Sequence, residues 1–319
     1  MKRFSIITIA CLSLFALALP LCSAEKDAVA GPSSSSAKSR TVNDLYPGLT
    51  AGALTYAKVS ELSEGVLLKA GELIIHEKEL SDEIAKASEQ MRPALKKNAF
   101  FLLEQIATFK LLLAEARANA PKDSEDISEE EEQTAIRNYL SALVKQAKIS
   151  DEEIQDFYNS NTEMFGGASL SQIKPQIEQF LLQEKQQELI NKHILSIGRK
   201  MQVEISAPWI KVQAALARDN PVDKARASGR LSLIDFGSTG CVPCQMMEPI
   251  LETLREKYKD KVNVLFINVT EEPILASRYG IQSIPVQIFF DKDGKEVHRH
   301  VGFFPQSEIE KRLSDMGVE

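Results

Sequence analysis

Three short β-rich runs separated by helical segments constrain the C-terminal third of the chain more than any other feature. LSLIDFG (231–237), VNVLFINV (262–269) and IPVQIFF (284–290) are of strand length and rich in β-branched and aromatic residues. In order, the segment reads strand, CxxC-bearing helix, strand, helix, strand, strand, helix. That is an α/β arrangement. Upstream, residues 45–200 are mostly helical, and 319 residues leave room for about two domains. The expected fold is multidomain: a mostly α-helical N-terminal domain over 45–205, then an α/β domain over 206–319. The boundary is set where MQVEISAPW leaves a long helix, with PWIKVQAALARDN (208–220) as the leading helix of the second domain.

Apolar periodicity and caps place the helices of the first half. GVLLKAGELIIHEKEL (65–80) has two short apolar runs around Ala70-Gly71, which reads as a small hairpin leading into a helix near 77–89. Pro93 suits a helix's first turn; Leu102, Ile106, Phe109 and Leu113 then recur at helical spacing until Pro121. Ser128 with Glu131, and Ser150 with Glu153, form capping boxes ahead of two further helices. The first of these carries Ile136, Leu140 and Leu143 or Val144. A last helix over about 170–198 carries Ile173, Ile177, Phe180 or Leu181, Ile190, Ile194 and Ile197 on one face and QEKQQE on another. Core packing accounts for all these stripes.

Residues 1–24 stand apart. Lys2 and Arg3 precede an apolar run from Phe4 to Leu21, and Cys22, Ser23 and Ala24 follow. This is the layout of a secretory signal peptide cleaved after Ala24, and it implies a periplasmic or otherwise extracytoplasmic protein. A retained anchor and a lipidated Cys22 are the alternatives; Leu21 is bulky for the latter. Residues 25–44, with GPSSSSAKSR, read as a flexible linker. Without Lys2 and Arg3 the formal charge falls from −7 to about −9, which argues against nucleic acid or anionic membrane as a main partner. Cleavage also removes Cys11 and Cys22. Only Cys241 and Cys244 remain, in a compartment where disulfides persist.

Two cysteines three positions apart cannot staple distant parts of a fold, so their purpose is local chemistry. A metal site needs about four ligands. The four histidines are His76, His193, His298 and His300, and of these only His298 or His300 could come near the pair. A purely structural bridge across two residues would stabilise little. A redox pair needs an accessible thiol of lowered pKa and a second thiol to resolve the mixed disulfide. LIDFGSTG followed by CVPCQMMEPILETLREKY supplies strand, tight turn and helix, with Cys241 at the helix N-terminus and Pro243 in its first turn.

Residues from about 208 to 319 resemble the thioredoxin superfamily. The likeness rests on Asp235 six residues before Cys241, Pro249 five after Cys244, Ile284-Pro285 within YGIQSIPVQIFF, Gly294 in DKDGKEV and Gly302 in HRHVGFF. The resemblance implies a mixed central sheet and a protein thiol-disulfide oxidoreductase with no cofactor beyond the Cys241–Cys244 couple. Cys241 would attack, Cys244 would resolve, and buried Asp235 would accept the Cys244 proton. A cis Pro285, with Ile284, Gly302 and the exposed rim at Gly240, would meet substrate backbone. Gly240 stands where the family usually has tryptophan, and Phe266 where a lysine near the acid is common. Without that cation the Asp235 pKa should stay higher.

A second resemblance covers about 65–200. AGELIIHEKELSDEIAK, the Leu-rich helix ending in EARANA, and ISDEEIQDFYNSNTEMF are similar to the N-terminal domain of SurA- and PpiC-type periplasmic chaperones and isomerases. LSQIKPQIEQFLLQEKQQELINKHI is similar to their closing helix. Only GGAS lies where those proteins carry a parvulin insert, so isomerase activity is not implied. The implied partners are exported cysteine-containing or partly folded proteins, an unidentified redox partner that recharges the pair, and a second copy of the chain. Two alternatives go with this: a chaperone with an accessory redox site, or a dedicated reductant of one partner, such as an apocytochrome or copper-site protein. A helical spacer without a ligand is the bland alternative for the first half.

Overall fold

The computed structural model describes residues 40–119 and 128–318, apart from the side chains of Glu163 and Met164. The signal-peptide and Pro121 expectations lie outside these residues, as does the linker up to residue 39. The chain divides into two compact units. Residues 40–140 and 191–217 contribute the described parts of the first, and residues 141–190 and 218–318 those of the second.

The first unit is helical with one small sheet. Strands β1 (Lys58–Ser60), β2 (Val66–Ala70), β3 (Leu73–His76) and β4 (Glu204–Ser206) take the order β1-β4-β2-β3. The β2–β3 pair is the expected hairpin, with Gly71 at φ 59° in its turn. Helix α1 (Val42–Leu45) opens the described chain. Helix α2 covers Glu77–Lys86; the next helix, expected to be continuous, breaks at Asn98 into α3 (Arg92–Lys97) and α4 (Ala99–Ala118). Leu102, Leu103, Ile106, Ala107, Leu111 and Leu112 of α4 are all buried, a wider face than the expected stripe. Buried Glu104 on α4 accepts hydrogen bonds from Thr50 Oγ1 and from Leu54 N (3.0 Å), tying down the 50–54 loop. Ser128 and Glu131 form the expected reciprocal cap before α5 (Glu129–Val144).

The segment expected to open the second domain is held in the first. β4 lies between β1 and β2, and helix α8 (Ala207–Ala217) packs on α3, α4, β1 and β4. Trp209 of α8 stacks on Phe100 of α4 with ring centres 6.5 Å apart. Apolar residues in 208–217 signal a helix, but they do not specify which core takes it.

In the second unit, Ser150 and Glu153 cap α6 (Asp151–Ser160) as expected, and Phe157 meets Phe180 of α7 (Leu170–Lys200) at 5.3 Å. Of the α7 stripe, Ile177 in this unit and Ile197 in the part of α7 that belongs to the first are fully buried, and the others are half-buried. The rest of the unit is a sheet between two helical layers. Strands β5 (Leu231–Gly237), β6 (Val262–Asn268), β7 (Val286–Phe290) and β8 (Glu296–Val301) take the order β6-β5-β7-β8. The β5–β6 pair is parallel and the others antiparallel, so the sheet is mixed. One face packs on Met247, Leu251 and Leu254 of α10 (Val242–Lys257) and Ile309 and Leu313 of α12 (Gln306–Asp315). The other packs on Val222 and Ala225 of α9 (Pro221–Arg226) and Leu275 and Ala276 of α11 (Pro273–Arg278). Central β5 is buried along its whole length, and the turn after it delivers the cysteine pair.

Candidate functional site

Strand β5 ends at Gly237, and Cys241 is the N-cap of α10, with its Sγ 3.2 Å from the N–H of Cys244. The free N–H groups of that helix start favour negative charge on sulfur. Pro243 lies in the first turn, where its missing N–H costs nothing. Cys241 and Cys244 are joined in a disulfide, with Cα atoms 5.2 Å apart. Their exposures differ: Cys244 is buried at 4% while Cys241 is half-exposed. An incoming sulfur therefore reaches Cys241 first.

The segment expected to meet substrate lies beside Cys241. The Ile284–Pro285 peptide is cis, and Ile284 O is 3.9 Å from Cys241 Sγ. Gly302, at φ 94°, donates its N–H to Pro285 O at 2.8 Å, which fixes the loop against the end of β8. Gly240 is exposed, and a side chain there would meet nothing within 4 Å. Neither space nor backbone demands glycine at 240; its effect is an open rim. Val242, next in sequence after Cys241, is 68% exposed. Pro249 lies inside α10. Gly294, at φ 74°, is required in the β7–β8 turn, because a Cβ would come within 2.6 Å of Arg226 O.

Asp235 is fully buried on β5, two residues before Gly237 and on the same sheet face. Burial pushes its carboxyl from 3.8 up to about 7, against the pull of a hydrogen bond from Gln287. Phe266 pairs with Asp235 in the β5–β6 register, so no lysine reaches the acid from that position. His298 and His300 do not turn toward the cysteines as ligands. His300 stacks on Phe304 at 4.0 Å and bonds Phe303 O through Nε2, and His298 packs on Phe289. Among the described residues no three His, Cys, Asp or Glu side chains gather as a metal site.

Two residues at the site were not singled out from sequence. Gln287 is the hydrogen-bond partner of Asp235; its signal is a lone polar residue in VQIFF. Gly237 is the other: a methyl group on it would meet Phe266 Cε2 at 2.9 Å and Cys244 Sγ at 3.2 Å. The Phe266 ring and Cys244 take the space a side chain would need. Gly237→Ala is expected to cost about 1–2 kcal/mol by overpacking. Because Phe266 is 41% exposed and can yield, adding Phe266→Ala should recover part of that loss in urea titrations. A cost unchanged in the double variant would contradict the contact.

Comparison with known proteins places this site among relatives. Residues 214–315 match the thioredoxin family model. Thioredoxin from Alicyclobacillus acidocaldarius is 39% identical over 104 residues, covering 33% of this chain and 89% of the relative. Thioredoxin from Staphylococcus aureus is 40% identical over 95 residues, covering 30% of this chain and 89% of the relative. Among solved structures, the crystal structure of thioredoxin NaTrxh from Nicotiana alata is 34% identical, covering 30% of this chain and 80% of that one, with a TM-score of 0.27.

Proposed function

Because the chain belongs to the thioredoxin family, we propose that it is an exported thiol-disulfide oxidoreductase acting on protein substrates through Cys241 and Cys244. The observation that carries this is the pairing of a half-exposed cysteine at a helix N-terminus with a buried one beside it, next to the cis Ile284–Pro285 peptide. In the reducing direction, the Cys241 thiolate attacks one sulfur of a substrate disulfide. That bond breaks, and the leaving thiolate takes a proton from water. Cys244 then loses its proton to Asp235 and attacks Cys241 Sγ. The mixed disulfide breaks, the second substrate thiolate leaves, and the protein keeps the Cys241–Cys244 bond. Two electrons have passed to the substrate. Run backward, the same steps oxidise a dithiol; direction follows the potential of the couple against that of the partner that recharges it.

Ile284, Pro285 and Gly302, with the open rim at Gly240, receive the substrate backbone in this scheme. Phe266 and Val242 add exposed apolar surface beside it. The helical half, through its likeness to SurA-type N-terminal domains, recruits partly folded chains or joins two copies. The N-terminal signal layout supports an extracytoplasmic site of action. Catalytic exchange by the full mature chain tests the proposal, either reduction of a protein disulfide with a small dithiol as recharging agent or oxidation of a protein dithiol with a small disulfide; absence of turnover in both directions would contradict it.

A further inference from the structure

One polar row crosses the sheet face beneath α10. Asp235 on β5 pairs with Gln287 on β7, and Gln287 pairs in turn with His300 on β8. Gln287 is fully buried, and the rest of its strand is apolar. Its Nε2 donates to Asp235 Oδ1 at 2.6 Å. The other two polar atoms of this pair, Asp235 Oδ2 and Gln287 Oε1, are buried without a hydrogen-bond partner among the described residues. A buried carboxamide with one end unpaired costs more than the apolar side chain that would fit the strand. Its retention calls for a chemical reason.

Exchange requires Asp235 to gain and lose a proton. As a carboxylate it only accepts hydrogen bonds; as an acid it also donates one. A lysine or arginine beside it would serve the first state alone. A carboxamide carries a donor and an acceptor at the same end, exchanged by a half turn of a soft terminal torsion. With Nε2 toward Asp235 it holds the carboxylate; with Oε1 toward Asp235 it accepts the proton of the acid.

We propose that Gln287 is a positioning residue for disulfide exchange: its carboxamide turns over so that Asp235 keeps a hydrogen bond in both protonation states. This role rests on the oxidoreductase function proposed above. Asp235 then takes the Cys244 proton and returns it without losing its partner. Asp235 lies two strand residues, about 7 Å, from the position that Cys244 overlies at Gly237, a span for direct contact or one water. The surroundings isolate the pair. On this face the other titratable groups are Cys244 on α10, Tyr258 at the end of α10, and His298 and His300 on β8, with Arg255 of α10 bonded to Val264 O and Arg312 on α12 acting on His298. Strands β6 and β7 carry none, and β5 carries Asp235 alone.

Two nuclear magnetic resonance titrations and one activity profile test this. In the wild-type protein, the Gln287 side-chain amide and the Asp235 carboxyl should move with one common pH midpoint. Gln287→Met keeps the length of the side chain but neither donor nor acceptor. In that variant the Asp235 midpoint should rise by about one pH unit, a tenfold gain in proton affinity, because the charge-assisted bond lost from the carboxylate is stronger than the neutral bond lost from the acid. The pH profile of disulfide reduction should move with it. An unmoved Asp235 midpoint in Gln287→Met overturns the proposal. So does a wild-type Gln287 amide that does not respond across the Asp235 transition, and that measurement decides the matter if the variant fails to fold. A wild type that titrates as described yet reduces no disulfide contradicts the oxidoreductase function instead, and with it this role.

Discussion

Cys241→Ser is expected to abolish reduction of a protein disulfide, with a loss of at least about a thousandfold in rate. The reason is positional. Cys241 is the half-exposed member of the pair, and Cys244 beneath it is 4% exposed. A serine hydroxyl at the same helix N-terminus is not ionised near neutral pH and cannot attack a disulfide. Cys244 cannot take over, since its sulfur is enclosed by the strand end at Gly237. The stability of the fold should change little, because a bridge across two intervening residues closes a very short loop. Rate assays with a small model disulfide and with a protein disulfide check this. Substantial activity left in both would show that the exchange site lies elsewhere.

Asp235→Asn should change stability in a way that depends on pH. The folded protein holds the Asp235 proton up to about pH 7, because burial disfavours the charged carboxylate, whereas an unfolded chain loses it near 3.8. Between those values the folded state binds more protons than the unfolded one. Stability contributed by this group therefore falls as pH rises, and the whole penalty is in place above about pH 7. Below pH 3.8 both states are protonated and the penalty vanishes. Asparagine does not titrate. The variant should thus gain on the wild type by about 4 kcal/mol between pH 4 and pH 8. The same change should slow resolution of mixed disulfides, since Cys244 loses its proton acceptor. Urea titrations at pH 4, 6 and 8 on both disulfide-bonded proteins check the first part. A difference independent of pH would mean that Asp235 titrates normally in the fold.

Much of the second unit was legible because its chemistry sits in linear order. Strand, turn, N-capping Cys241, Pro243, Asp235, Ile284-Pro285 and Gly294 each leave a local mark, and the structure sets them where a strand–turn–helix and a β7–β8 turn require. Gln287 was not legible. Its partner is fixed by the antiparallel register of β5 against β7, and a separation of 52 positions from Asp235 leaves no local trace of that pairing. Gly237 was missed because the crowding that demands it comes from Phe266 on a neighbouring strand. In the first unit the hairpin and most helices followed from apolar spacing and caps. Strands β1 and β4 did not: each is three residues long, and Ser60 and Glu204 are 144 residues apart. Such short strands form only where a partner already waits, which no local pattern records. The break at Asn98 was hidden because apolar residues continue across it.

Cys244→Ser tests the central claim most directly. It leaves Cys241 able to attack while removing the thiol that resolves the intermediate. Mixed with a protein disulfide, this variant should accumulate a covalent adduct, seen by mass spectrometry as one substrate joined through Cys241 and released by reductant. The Cys241→Ser, Cys244→Ser double variant should form none. Absence of the adduct from the single variant, or its equal formation by the double variant, would contradict an exchange site at Cys241 and Cys244.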